Sequence, residues 1–125
     1  MNKEFIPYEQ ALVLKELGFD EPCFGLYHND KTFYPTQCKS HEQYHGQICS
    51  APLYQQAFRW FRKKYNLKSW IQEHTTDTFI YEIRPHKLTD YKEGEVYVYK
   101  IPEEAELHCL KKLIEIVKNK NNYGN

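Results

Sequence analysis

Cys38, His41, His45 and Cys49 place four soft or borderline ligands within twelve residues, a density that could close a tetrahedral zinc site. The spacing Cys-x2-His-x3-His-x3-Cys fits no established finger, and no Cys-x2-Cys knuckle accompanies it. Gly46 also argues against a long helix that would set His41 and His45 on one face. The competing reading is a polar surface loop rich in His and Cys, and no metal is assigned on this pattern. A Cys38–Cys49 disulfide ranks below both, because the chain reads as cytoplasmic and its thiols as reduced.

A second grouping is electrostatic. Gln55, Arg59, Arg62 and Lys63 recur at helical spacing and fall on one face of a predicted helix. Residues 51–75 carry five Lys or Arg against one Glu, in a chain whose 17 basic and 17 acidic residues cancel overall. That strip suits an anionic partner: an acidic protein, a small nucleotide-like ligand or a nucleic acid. Tyr beside Arg would also suit stacking on bases. The bland alternative is a solvated helix face. A dedicated nucleic-acid binder would carry a basic excess overall, so nucleic acid is the least favoured of the three.

Nucleophilic chemistry finds little support. His108 and Cys109 are neighbours on a predicted helix and cannot point the same way, so Cys109 reads as core packing and His108 as exposed, near Glu104. Cys23 reads as a small buried residue at the start of a strand. No phosphate loop, Gly-x-Ser-x-Gly, His-Glu-x-x-His or Gly-x-Gly-x-x-Gly occurs. The chain is therefore read as non-enzymatic.

The elements that must position these residues follow from periodicity. A helix is predicted from about Pro7 to Leu17, with Ala11, Leu14 and Leu17 as its stripe and Gly18 as a left-handed cap. Two strands, Cys23–Tyr27 and Thr32–Tyr34, enclose a loop at residues 28–31, and Pro35 closes the second. Residues 36–49 read as a loop. The basic helix is expected to start from a Ser50 cap with Pro52 in its first turn, and to end near Asn66. Leu53, Ala57, Trp60, Phe61 and Tyr65 form its apolar stripe. A second hairpin is predicted from Ser69–His74 and Thr78–Arg84, and Glu95–Ile101 reads as a further strand. A last helix runs from Pro102 to about Lys118, before a frayed tail at 121–125. The order α-β-β-α-β-β-β-α, with hairpins and amphipathic helices, predicts one α+β domain over residues 1–125 built on an antiparallel sheet.

Composition agrees with a folded chain. At 41% hydrophobic and 27% charged it can bury a core, which excludes wholesale disorder. Twenty aromatic residues, eleven of them Tyr, are unusual for 125 positions. Tyr27, Tyr34, Tyr44 and Tyr91 are the candidates for an exposed set. Neither a signal peptide nor a membrane span is read from the sequence, so the chain is expected in the cytoplasm.

Three stretches carry a resemblance. They are Phe5-Ile-Pro-Tyr-Glu-Gln-Ala-Leu12 with Leu14-Lys-Glu-Leu-Gly-Phe-Asp-Glu-Pro-Cys-Phe24, Ala51-Pro-Leu-Tyr-Gln-Gln-Ala-Phe-Arg-Trp-Phe-Arg62, and Glu103-Glu-Ala-Glu-Leu107 with Cys109-Leu-Lys-Lys-Leu-Ile-Glu-Ile-Val-Lys-Asn119. These resemble a family of small proteins of gut Bacteroidetes and of the phages and mobile elements that infect them. The resemblance covers the three helical segments. It implies a small cytoplasmic accessory protein and supplies no catalytic residues; a host or phage protein, or a small anionic ligand, is the expected partner of such a binding module.

Overall fold

Gly18 ends the first helix as its position predicts. The helix α1 spans Tyr8–Glu16, and Gly18 adopts a left-handed φ of 102°. The Phe19 amide donates to the Leu14 carbonyl at 2.9 Å and the Gly18 amide to the Lys15 carbonyl at 3.1 Å. This paired closure satisfies carbonyls that the helix end leaves open. Leu14 and Phe19 are both fully buried. Burying Phe19 alone contributes about 2–3 kcal/mol.

A computed structural model describes residues 2–38, 48–85 and 97–123. It is α+β, with three helices and two small antiparallel sheets in the order α-β-β-β-α-β-β-α. A short 3-10 turn, Asn2–Glu4, precedes α1. The chain divides into two compact units, Met1–Ala57 and Phe58–Asn125.

In the first unit, β1 (Cys23–His28) is the central strand, with β2 (Phe33–Cys38) and β3 (Ile48–Ser50) antiparallel on either side. The β1–β2 turn closes through the His28 amide on Thr32 O and the Lys31 amide on His28 O, with Lys31 at φ 72°. Two sequence expectations are corrected. Pro35 does not end the second strand: it pairs with Gly25 inside β2, an edge strand where a missing N–H is tolerated. Residues 36–38 and 48–49 belong to strands rather than to a loop, and residues 39–47 lie outside the described residues. One face of the sheet holds an aromatic cluster. Phe33 lies 4.9 Å from Phe5 and 5.4 Å from Tyr27, and Tyr8 meets Tyr27 edge-on at 5.6 Å. Gly25 makes room for it, since a Cβ there would stand 2.7 Å from the Phe33 ring.

The helix α2 spans Tyr54–Tyr65 and begins later than predicted. Ser50 is not its cap. It is fully buried in β3 opposite Leu26, and Pro52 and Leu53 are held by the N-terminal segment. The Ile6 amide donates to Pro52 O at 3.0 Å, and Leu53 bridges Phe5. Strand pairing therefore claims the residues that local propensity assigned to a helix start. The other end agrees with expectation, since Asn66 is left-handed at φ 56°.

In the second unit, β4 (Lys68–Thr75) and β5 (Thr78–Arg84) form a hairpin. The register sets Ser69, Ile71 and Glu73 opposite Ile83, Tyr81 and Phe79. Helix α3 (Pro102–Tyr123) lies against β5 and, less extensively, β4. Its buried stripe is Ala105, Cys109, Leu110, Leu113, Ile114 and Val117. It extends beyond the predicted end at Lys118, because no Gly or Pro interrupts the chain before Gly124. The predicted strand 95–101 is reduced, among the described residues, to one bridge between Phe79 and Tyr99. Its two backbone hydrogen bonds measure 2.7 and 2.9 Å. Ile101 lies in a bend directly before α3, which ends the pairing.

Candidate functional site

The basic face of α2 is built by the helix itself. Tyr54, Ala57, Phe58, Trp60 and Phe61 are buried, which turns Gln55, Arg59, Arg62 and Lys63 outward, and all four are exposed. Arg59, Arg62 and Lys63 are spaced three and four residues apart, so they are neighbours along one side of the helix. Gln55 precedes Arg59 by one turn. The helix contains no Asp or Glu, and among the described residues no carboxylate pairs with Arg59, Arg62 or Lys63. Among the described residues, charge pairs lie elsewhere: Lys31–Glu9, Arg84–Glu82 and Lys112–Glu115. Lys64 behaves differently from its neighbours. Its ammonium sits over Trp60 at 5.1 Å and Tyr65 at 5.7 Å, a cation–π arrangement that directs it along the helix.

Of the four residues weighed as zinc candidates, Cys38 and Cys49 lie on strands of the first sheet, on either side of β1. Cys38 pairs with Cys23 across the β1–β2 ladder, and Cys49 pairs with Tyr27 on the other side of β1. Two strand spacings sideways and four residues along β1 separate their α-carbons by about 16 Å, from ordinary strand geometry. The physical reason is that β1 runs between the two cysteines. His41 and His45 lie outside the described residues. Among the described residues no group of three or more His, Cys, Asp or Glu is placed to hold a metal.

The described thiols are enclosed. Cys23, Cys49 and Cys109 are all buried. Cys109 is fully buried on α3, and burial pushes its pKa up to about 12. Ser69 is near enough to oppose that rise, yet its hydroxyl is buried without a well-formed hydrogen bond. Burial therefore dominates, and the thiol stays protonated at neutral pH. The core role read for Cys109 is the one it occupies. His108 is exposed, as expected, but its ring stacks on Tyr99 at 4.7 Å, and Tyr99 in turn stacks on Tyr81 at 6.4 Å. That column joins residues far apart in sequence, and no local pattern signals it.

Of the Tyr residues expected at the surface, Tyr34 is exposed and Tyr27 is not. Tyr27 is drawn inward because its hydroxyl donates to the Ile6 carbonyl at 2.8 Å. Tyr44 and Tyr91 lie outside the described residues. No described helix is long and apolar enough to cross a membrane. Comparison with protein-family models, with curated proteins and with solved structures returns no match.

Proposed function

We propose that this chain is a non-enzymatic binding module of the cytoplasm that engages an acidic surface of a host or phage protein through Arg59, Arg62 and Lys63. The observation that carries this reading is the absence of any described carboxylate against three exposed cations on one helix face. A positive strip that no described carboxylate offsets raises encounter rates with acidic surfaces, and guanidinium groups pair with carboxylates through two hydrogen bonds at once. Gln55 adds a neutral donor and acceptor at the start of the same strip. The resemblance to small phage and mobile-element proteins supports an accessory role.

Native mass spectrometry of the protein isolated from its own cells tests the reading, run beside Arg59→Glu with Arg62→Glu. The expected result is an added mass of protein size that high salt releases and the double variant loses. An added mass of nucleotide size assigns the strip to a small anionic ligand instead. An apo mass, or a partner retained by a folded double variant, overturns the reading.

A further inference from the structure

We propose that the outer edge of β4 is a self-pairing surface, on which a second copy of this chain lays its own β4 antiparallel. The pairing would join two two-stranded sheets into one. Among the described residues, β4 pairs with β5 alone. The direction of its backbone groups follows from β5. Phe79 exchanges two backbone hydrogen bonds with Tyr99, so its N–H and C=O point away from β4. Alternation turns those of Ile80 and Glu82 towards Gln72 and Trp70, which face them across the ladder. On β4 the N–H and C=O of Ser69, Ile71 and Glu73 therefore point outward, and no described backbone group meets them. Such an edge is a template for another strand.

The strand is open to approach. Residues 68–75 contain no Pro or Gly, and Lys68, Trp70 and every residue from Gln72 to Thr75 are exposed. An irregularity in the register falls between Glu73 and Thr75, at the hairpin end and past the three outward residues.

A second copy fits because the outward groups are symmetric about Ile71. A two-fold axis through Ile71, perpendicular to the sheet, sets Ser69 opposite Glu73, Ile71 opposite itself and Glu73 opposite Ser69. These facing pairs exchange about six hydrogen bonds, two for each pair. Moving the axis to Trp70 or Gln72 meets fewer outward groups, and moving it to Glu73 opposes two carboxylates. The axis also preserves the faces of the sheet. Ser69, Ile71 and Glu73 share a face with the buried Ile83, against β5 where α3 packs, so Trp70 lies on the other face. There its indole donates to Gln72 Oε1 at 3.1 Å. Pairing makes the two exposed Trp70 rings diagonal neighbours, a spacing that aromatic side chains bridge. Lys68 comes opposite His74 at the rim. A net charge of zero removes long-range repulsion between copies. The surface is small, so association depends on concentration, and it uses no residue of the α2 strip.

Sedimentation velocity and residue-resolved amide hydrogen exchange of the full chain, over a series of concentrations, test the proposal. The expected result is a shift from monomer to dimer, with protection gained at Ser69, Ile71 and Glu73. Where about 90% of the chain is paired, those amides should exchange about tenfold more slowly, because only the unpaired remainder exchanges. Trp70→Lys sets two ammonium groups across the axis and should stay monomeric, whereas Arg59→Glu with Arg62→Glu should pair like the wild type. A chain that is monomeric throughout, or a dimer that gains protection elsewhere, overturns the proposal. So does a dimer kept by Trp70→Lys or lost by the α2 double variant. Protection of the three amides that ignores concentration assigns the edge to another segment of the same chain, and protection that needs an added protein assigns it to a foreign strand; either overturns self-pairing. The wild-type exchange pattern decides the matter even where a variant fails to fold.

Discussion

The Tyr27 hydroxyl donates a 2.8 Å hydrogen bond to the Ile6 carbonyl, twenty-one residues away in sequence and buried on both sides. It ties the segment before α1 to the central strand of the first sheet. Burial, together with the neighbouring Cys49 and Glu9, raises the Tyr27 pKa, so the phenol is held in its donating form. Tyr27→Phe leaves the Ile6 carbonyl buried without that donor. A loss of about 1–2 kcal/mol is expected, read as a lower urea midpoint at unchanged slope.

Gly25 should not accept a side chain. The Cβ of Gly25→Ala would meet two Phe33 ring atoms at 2.7 and 2.9 Å and a Phe5 ring atom at 3.1 Å. Moving a ring that already packs against Phe5 and Tyr27 costs about 1–3 kcal/mol. Phe33→Leu made in the Gly25→Ala background should recover part of that loss, which a double-mutant cycle measures.

Gly18 supplies backbone freedom. Its φ of 102° lies where L side chains are strained. Gly18→Ala should lower stability by about 1 kcal/mol, because the capping bonds to Leu14 and Lys15 require that conformation. Thermal unfolding followed by circular dichroism reads the change.

Alkaline pH should unfold the protein in a defined window. The Cys109 pKa rises from 9.0 to about 12, and those of Tyr27 and Tyr65 rise above 10.0, in each case chiefly through burial. Well below pH 9 these groups are protonated in both states and stability is unaffected. As pH rises past the unfolded values, the unfolded chain gives up protons that the folded chain retains, so stability falls. Each group contributes a slope of up to about 1.4 kcal/mol per pH unit, less for the part-exposed Tyr65. Cys109→Ala should flatten the decline that begins near pH 9 and leave the phenol contribution in place. Urea unfolding at a series of pH values checks both.

Ser69→Ala is expected to be neutral or stabilising by up to about 1 kcal/mol. The Ser69 hydroxyl is buried without a well-formed hydrogen bond, so removing it relieves an unmet desolvation cost. Equilibrium unfolding that showed a clear loss would instead reveal a working contact with Cys109.

Much of the local structure was legible in the chain. The apolar stripes of the three helices repeat near 3.6 residues, and Gly18 and Asn66 mark the ends of α1 and α2 by their tolerance of left-handed backbone. Both hairpins follow from alternating residues around polar turns. The outward direction of Gln55, Arg59, Arg62 and Lys63 follows from the same helical spacing that buries Phe58 and Phe61.

What local pattern misassigned was settled by distant partners. Ser50 looks like a helix cap until Leu26 claims it for a strand, and Pro35 looks like a strand end until an edge position removes the need for its amide. The bulge that sets Cys38 opposite Cys23 has no signature in the residues around either cysteine. The separation of Cys38 from Cys49 depends on β1 lying between their strands. The sequence by itself determined the helices, the turns and the basic character of α2, because those depend on neighbours within a few residues. Tertiary structure decided the strand registers, the burial of Tyr27, and the absence of a described carboxylate against Arg59, Arg62 and Lys63. Each of these rests on contacts between residues far apart in the chain, whose pairing no short-range preference specifies.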